Sequence, residues 1–275
     1  PAHGAGTLCG KALSSAHSST IGAEKISNWS LQEQTEEEFV ESLLADQPFI
    51  PAYFPYDVEL NRKGAPGFEE SVHAIKMLGE ITSKEDSRML DESLWIIDAR
   101  DEKVFKKGHM SHSINLMEGN KFETWLGSII PPGERFYLAG SSTEQLRKLI
   151  ARAAAIGYES FIEAAFVLEY GDTKMPKLDT EAFENAPDQY TIIDVRNPSE
   201  VKEGKIFSNS LSIPLAELRN RVSEVPTDKP VVVHCAGGYR SAAASSLVEA
   251  SVDGKVKVFD LGEAVKDFSN LAKAK

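Results

Sequence analysis

Cysteine is scarce in this chain. There are two in 275 residues, Cys9 and Cys235, and no Cys-x-x-Cys pair. That excludes a disulfide framework and points to a reducing, cytoplasmic setting. Basic charge is also in short supply: 30 Lys and Arg stand against 42 Asp and Glu, a formal net charge of −12. A nucleic-acid partner would need a basic face, so none is expected. Anionic small molecules stay open, because a local pocket can oppose the global charge. No apolar run reaches membrane-spanning length and no signal-peptide pattern opens the chain, so no membrane partner is expected. An initiating Met is missing, and the opening "PAHGAG" reads as the interior of a longer protein.

What is present is enough for two domains, with an ordinary apolar fraction of 41%. The chain repeats itself. "LWIIDARDEKVFKKGHMSHSINL" from Leu94 matches "YTIIDVRNPSEVKEGKIFSNSLSIPL" from Tyr190, with Asp98 on Asp194 and Arg100 on Arg196, an offset of 96. The same offset, with no insertion, lays "RFYLAGSSTEQLRKLI" on "VVVHCAGGYRSAAASS" and puts Ala139 in the place of Cys235. A period this long means a duplicated domain rather than a solenoid. "WIIDA", "RFYLA", "TIIDV" and "VVVHC" are short and β-rich, as buried parallel strands are. Helices are predicted over 144–155, 215–222 and 242–250. Each copy is therefore α/β, a mostly parallel sheet flanked by helices. Residues 171–180 read as the linker between copies. Before the repeat, "TEEEFVESLLA" is a predicted helix with Thr35 as N-cap and Glu38 in the capping box. The Pro- and aromatic-rich "QPFIPAYFPYDVELNRKGAPGF" after it reads as an extended, packed connection.

Cys235 ends a predicted buried strand just where a helix begins, on the sheet edge where open α/β folds bind ligands. A cysteine ending a buried strand is by default an inert small hydrophobe. Here Ala236, Gly237, Gly238, Tyr239, Arg240 and Ser241 follow at once. Glycines let the loop turn its amides inward, and those donors, the helix N-terminus and the Arg240 cation all favour an anion. A thiolate there is expected to form readily and be nucleophilic. Four residues separate Cys235 from Arg240. Cysteine phosphatases place one residue more in that interval, so this loop suits a single extra sulfur atom rather than a phosphate.

"HCAGGYRS" resembles the active-site loop of the rhodanese family of sulfurtransferases. "IIDVRNPSEVKEGKI" and "LGEAVKDF" resemble that family's flanking segments, so the likeness covers about 178–275. It departs at Lys205, where the family has His, and at Phe268, where it has Trp. The resemblance implies that Cys235 takes the sulfane sulfur of thiosulfate or a low-molecular-weight persulfide and passes it to a thiol acceptor. It makes Cys235 the nucleophile and Arg240 its partner for thiolate and anionic donor, with the amides of Ala236 to Ser241 holding the persulfide. Tyr239 either shapes the acceptor entrance or simply packs. Asp194 and Arg196 are read as structural support. His234 should point to the opposite face of its strand and pack. The first copy has neither the Cys nor the Arg, and is expected to serve packing, domain spacing or partner contact. The duplication also explains His109 and His112 better than a metal pair does.

"PAHGAG", "SSTIGAEKISNWSLQ" and "FIPAYFPYDVELNRKGAP" resemble the tail of metallo-β-lactamase-fold persulfide dioxygenases, in which a non-haem iron αββα domain is fused to one or two rhodanese domains. That resemblance places His3 near the metal site of an intact domain. No His-x-His-x-Asp-His motif occurs here, so no metal is expected in this chain, and iron belongs to the missing part. Fused members often self-associate, which makes a homo-oligomer an expectation. The expected organisation is a metallo-β-lactamase-like remnant and connector over 1–66, a degenerate rhodanese-like domain over 67–175 and an active one over 176–275. The rival readings are a non-catalytic interaction or regulatory module of a metal-dependent hydrolase or dioxygenase, and a small phosphatase or arsenate reductase.

Overall fold

The computed structural model describes residues 18–45 and 49–273, with side chains to residue 269. The readings placed on His3 and "PAHGAG", and Cys9 itself, lie outside these residues. The chain divides into two compact units, Pro1–Pro48 and Phe49–Lys275. In the first, helix Ile21–Ser27 starts at Thr20, whose hydroxyl accepts from the Ala23 amide. Helix Glu36–Leu44 carries the expected capping box: Thr35 accepts from the Glu38 amide, and Glu38 accepts from the Thr35 amide. Trp29 stacks on Phe39 in the turn between them.

The second unit holds two parallel sheets. Strands β1 (Met77–Ile81), β2 (Trp95–Asp98), β3 (Ser113–Asn115), β4 (Phe136–Gly140) and β5 (Ile162–Leu168) run in the order β1-β5-β4-β2-β3. Strands β6 (Thr191–Asp194), β7 (Leu211–Ser212), β8 (Val231–His234) and β9 (Val258–Asp260) run in the order β7-β6-β8-β9. Remove β1, and the two orders are the same. Every residue of β4 and of β8 is buried, which is why these strands read as continuous apolar runs rather than alternating ones. Helices Thr143–Ala154 and Leu215–Arg221 fall where the sequence puts them. The helix expected over 242–250 is longer, Tyr239–Val252, and begins inside the cysteine loop.

One expectation fails. Residues 49–66 do not run extended: helix Phe54–Lys63 forms there. Pro55 stands in the first turn, where a missing N–H costs no intrahelical bond, and Gly64 at φ 95° ends the helix. Its aromatics anchor on the first copy. Tyr56 Oη donates to the Gly157 carbonyl at 3.1 Å. The Tyr53 ring covers Gly127 so closely that a Cβ there would lie 2.2 Å from it.

A single apolar cluster runs through both copies, from Ile97, Leu138 and Ala165 to Ile193, Val233 and Val248. Helix Tyr239–Val252 packs against β3 of the first copy and against β8 and β9 of its own. Its buried residues Ala242, Ala243, Ala244, Ser245 and Ser246 are small enough for close approach on both sides. Ser245 and Ser246 donate back to Ala242 O, and Ser246 Oγ also accepts from the Asn115 amide at 2.9 Å, so burial leaves them satisfied. Polar contacts complete the seam between the copies. His109 Nε2 meets Glu249 at 2.9 Å, Lys106 meets Asp260 at 2.7 Å, and Arg219 meets Glu134 at 2.5 Å.

Candidate active site

Strands β6 and β8 are neighbours, and their C-terminal ends carry the site. Asp194 ends β6, and Cys235 follows β8. The Asp194 carboxylate accepts from the Arg196 amide at 3.0 Å and holds the Arg196 guanidinium at 2.7 Å. Arg196 in turn donates to the Gly204 carbonyl at 3.0 Å. Asp98, Arg100 and Gly108 repeat this clamp in the first copy, at 2.6 Å for the ion pair and 3.0 Å for the carbonyl. Both pairs are buried, and neither is part of the cavity wall around Cys235. Their fixed geometry shapes the turn that leaves the sheet.

Cys235 is buried, on the face that packs against the first copy, with Val231 and Val233. His234 points the other way, beside Phe207, with Nε2 at 3.8 Å from Asp194. Burial pushes the His234 imidazole down to about 4, against the opposing pull of Asp194. It is a neutral packed side chain at physiological pH. After Cys235 the loop turns at Gly238, at φ 101°, and the Gly238 amide donates to Cys235 Sγ at 3.2 Å. Ser241 Oγ donates to Gly238 O at 3.0 Å and locks the turn from below. Helix Tyr239–Val252 begins at the residue after Gly238, so the positive end of its dipole adjoins the loop that holds the sulfur.

The strand register corrects one expectation. Asp98 pairs with Ala139, whereas Asp194 pairs with His234. The equivalent of Cys235 is therefore Gly140, not Ala139. The first-copy helix starts at Thr143 and the second-copy helix at Tyr239, so the cysteine loop holds one residue more than its counterpart. Glu144 then stands where Arg240 does. The first copy lacks not only the thiol and the cation but also the length of loop that cradles an anion.

Cys235, Gly237, Tyr239 and Arg240 line a cavity of about 480 Å³. Ala236 and Ser241 do not line it. The rest of the wall was not visible in the sequence. Asn197 and Glu200 come from the turn and helix after β6, and Phe49, Asn120, Lys121, Thr124 and Trp125 from the other side. Phe49 and Trp125 stack at 5.5 Å. Tyr239 both packs and shapes the cavity: its hydroxyl donates to Met117 O at 2.8 Å, and its ring lies against Gly119. Arg240 is not a lone cation. It grips Glu200 with both terminal nitrogens, at 2.5 and 2.8 Å. That hydrogen-bonded pair holds the Glu200 carboxyl below the ordinary carboxylate range. Burial works against the Arg240 charge, but Glu200 and the nearby sulfur of Cys235 raise its pKa all the same. The signal that could have found Glu200 is its spacing from Asn197, with which it closes a capping box at the start of helix Pro198–Glu203.

The described histidines do not fit an iron site. His73 Nδ1 is engaged by Glu69 O at 2.6 Å, His109 by Phe105 O and Glu249, and His112 stacks on Trp95 at 3.7 Å. Among the described residues, no group of three or more His, Cys, Asp or Glu is placed to hold a metal ion. No helix among them is long and apolar enough to cross a membrane.

A parallel α/β sheet whose edge carries a glycine turn folded around one cysteine defines a class, the cysteine-loop α/β domains. Within that class, the chain belongs to the rhodanese-like family, whose domain model matches residues 179–270. It is 32% identical over 120 residues to the uncharacterized protein YqhL of Bacillus subtilis (strain 168), across 42% of this chain and 93% of that protein. It is 34% identical over 65 residues to a sulfurtransferase of Allochromatium vinosum, across 24% of this chain and 60% of that protein. Among solved structures, a metallo-beta-lactamase from Staphylococcus aureus subsp. aureus COL aligns at 26% identity and a TM-score of 0.45, over 60% of this chain and 43% of that one. The chain thus spans less than half of that metallo-beta-lactamase and three-fifths of that sulfurtransferase.

Proposed function

We propose that this chain is a sulfurtransferase working through a persulfide on Cys235. The observation that carries the reading is the Gly238 amide donating to Cys235 Sγ at the floor of the cavity. The thiolate attacks the outer sulfur of a donor. With thiosulfate, a new S–S bond forms to Cys235, the old S–S bond breaks, and sulfite leaves with the electron pair. With an organic persulfide, the leaving group is the thiolate of the carrier. A thiol acceptor then attacks the outer sulfur of the Cys235 persulfide and restores the Cys235 thiolate. The loop amides and the helix N-terminus stabilise the sulfur anion at both stages. A cytoplasmic setting fits this cycle, since it keeps Cys235 reduced and supplies thiol acceptors.

The first copy contributes no nucleophile. It provides Asn120, Lys121, Thr124 and Trp125 to the cavity wall, so it is read as the half that shapes the donor site. The relatives that carry sulfurtransferase names support the transfer chemistry. The likeness of the opening segments to persulfide dioxygenases suggests a parent protein that oxidises persulfide with an iron held by other residues, and no step proposed here runs through that iron. The test is turnover of thiosulfate and of an organic persulfide by the chain and by Cys235→Ser. The variant is expected to lose sulfur transfer entirely, and turnover retained without the thiol would overturn the assignment.

A further inference from the structure

We infer that Glu200 is the specificity-determining residue of this site: by pairing with Arg240 it withholds the loop cation from a dianionic donor, so the cavity takes organic persulfides in preference to thiosulfate. The inference rests on the sulfurtransferase reading above and narrows its donor class.

The pair is held from both sides. Glu200 Oε1 and Oε2 each take one Arg240 nitrogen, and Oε2 also accepts from the Asn197 amide at 3.1 Å. Pro198 and the capping box fix the helix that carries Glu200, so its carboxylate cannot swing away without losing a cap. The side chains are 14% and 32% exposed, which limits screening by solvent. A thiosulfate ion approaching Cys235 therefore meets a cation already committed to a carboxylate.

Three charged side chains line the cavity: Lys121, Glu200 and Arg240. Glu200 and Arg240 cancel. Lys121 is exposed, comes from the first copy at the start of the helix that carries Trp125, and among the described residues forms no salt bridge. The remaining positive charge thus comes from the first copy, from the same helix start that brings Trp125 to its stack with Phe49. A donor that suits this layout has an uncharged or singly charged sulfur end at Cys235 and an organic body along the aromatic wall. A cavity of about 480 Å³ is several times larger than a small inorganic anion needs. In the transfer step, the Cys235 thiolate displaces the carrier thiolate from the sulfane sulfur. That leaving group carries a single negative charge, whereas sulfite released from thiosulfate carries two.

Glu200→Gln frees Arg240. Thiosulfate binding is measured by calorimetry on the Cys235→Ser chain, which cannot consume the ligand, with and without the Glu200 change. The dissociation constant is expected to fall about tenfold on removal of one carboxylate charge close to a dianion, with a steeper dependence on salt. Glu200→Ala gives the same direction without the amide, and Glu200→Asp, which keeps the charge on a shorter arm, tightens binding less than Gln. With Cys235 intact, KM for thiosulfate falls in Glu200→Gln while KM for an uncharged alkyl persulfide does not. Unchanged or weaker thiosulfate binding in both Gln and Ala variants would overturn the inference. The calorimetric arm reads the charge of the site whether or not the chain turns over any donor, so a failure of the sulfurtransferase reading shows separately, as absent turnover.

Discussion

Replacing Gly238 by alanine tests the loop that holds the sulfur. Gly238 sits at φ 101°, a region L side chains rarely adopt, and a Cβ built there lies 3.2 Å from the Glu263 amide nitrogen and 3.3 Å from the Gly262 carbonyl carbon. Both neighbours are backbone, held in the turn that follows β9, where Gly262 N–H donates to Asp260 at 2.8 Å. The unfavourable dihedral alone costs about 1–3 kcal/mol, and the crowding adds to it. Gly237 is the control. It has ordinary φ and nothing within 4 Å of an added Cβ, so Gly237→Ala should change stability by no more than about 0.5 kcal/mol. Urea denaturation of the two variants side by side measures the difference. If the chain relieves the strain by rotating the peptide, the Gly238 N–H leaves Cys235 Sγ. A lost hydrogen bond to a charged sulfur is worth about 1.5–3 kcal/mol, so single-turnover persulfide formation should slow by about ten- to a hundredfold. A Gly238→Ala protein as stable and as fast as Gly237→Ala would refute the reasoning.

Two further outcomes follow from the packing. His234 is depressed in the folded chain, so the unfolded chain binds the extra proton between about pH 6.5 and 4 and stability falls as pH drops through that window. The contribution amounts to about 3 kcal/mol, and His234→Phe should flatten that part of the stability-against-pH curve measured by denaturation. A curve as steep as that of the parent chain would contradict the buried neutral imidazole. Tyr239→Phe removes the hydroxyl that donates to Met117 O across the two copies and should destabilise by about 1 kcal/mol in urea. It should leave thiol alkylation of Cys235 unblocked, since the ring itself stays in place.

The sequence disclosed the repeat, the parallel sheets and the cysteine loop because each is local. Buried strands read as β-branched runs, and the Gly-Gly turn, the arginine and the helix start all lie within a few residues of Cys235. The capping box at Thr35 was legible for the same reason. Helix Phe54–Lys63 was not, because a proline and several aromatics are as common in an extended connection, and the anchoring of Tyr53 over Gly127 is tertiary. Matching the repeats without a gap followed the helix register and slipped the preceding strand by one. Ala139 and Gly140 are both small, so only the ladder to Asp98 decides between them. The Glu200–Arg240 pair joins residues 40 positions apart, and the aromatic wall comes from Trp125 of the other copy and Phe49 of the segment before it. No periodicity carries such information. The site was therefore half visible: the nucleophile and its cradle were written in one loop, and the groups that set its charge and shape were not.

The most direct measurement is peptide mapping by mass spectrometry after the reduced chain meets an organic persulfide, with the Cys235→Ser chain treated alongside. The account predicts a gain of one sulfur atom on the peptide that contains Cys235, removed by an added thiol, and no gain in the variant. A Cys235 that takes up no sulfur, or sulfur found on Cys9 in both chains, would contradict it.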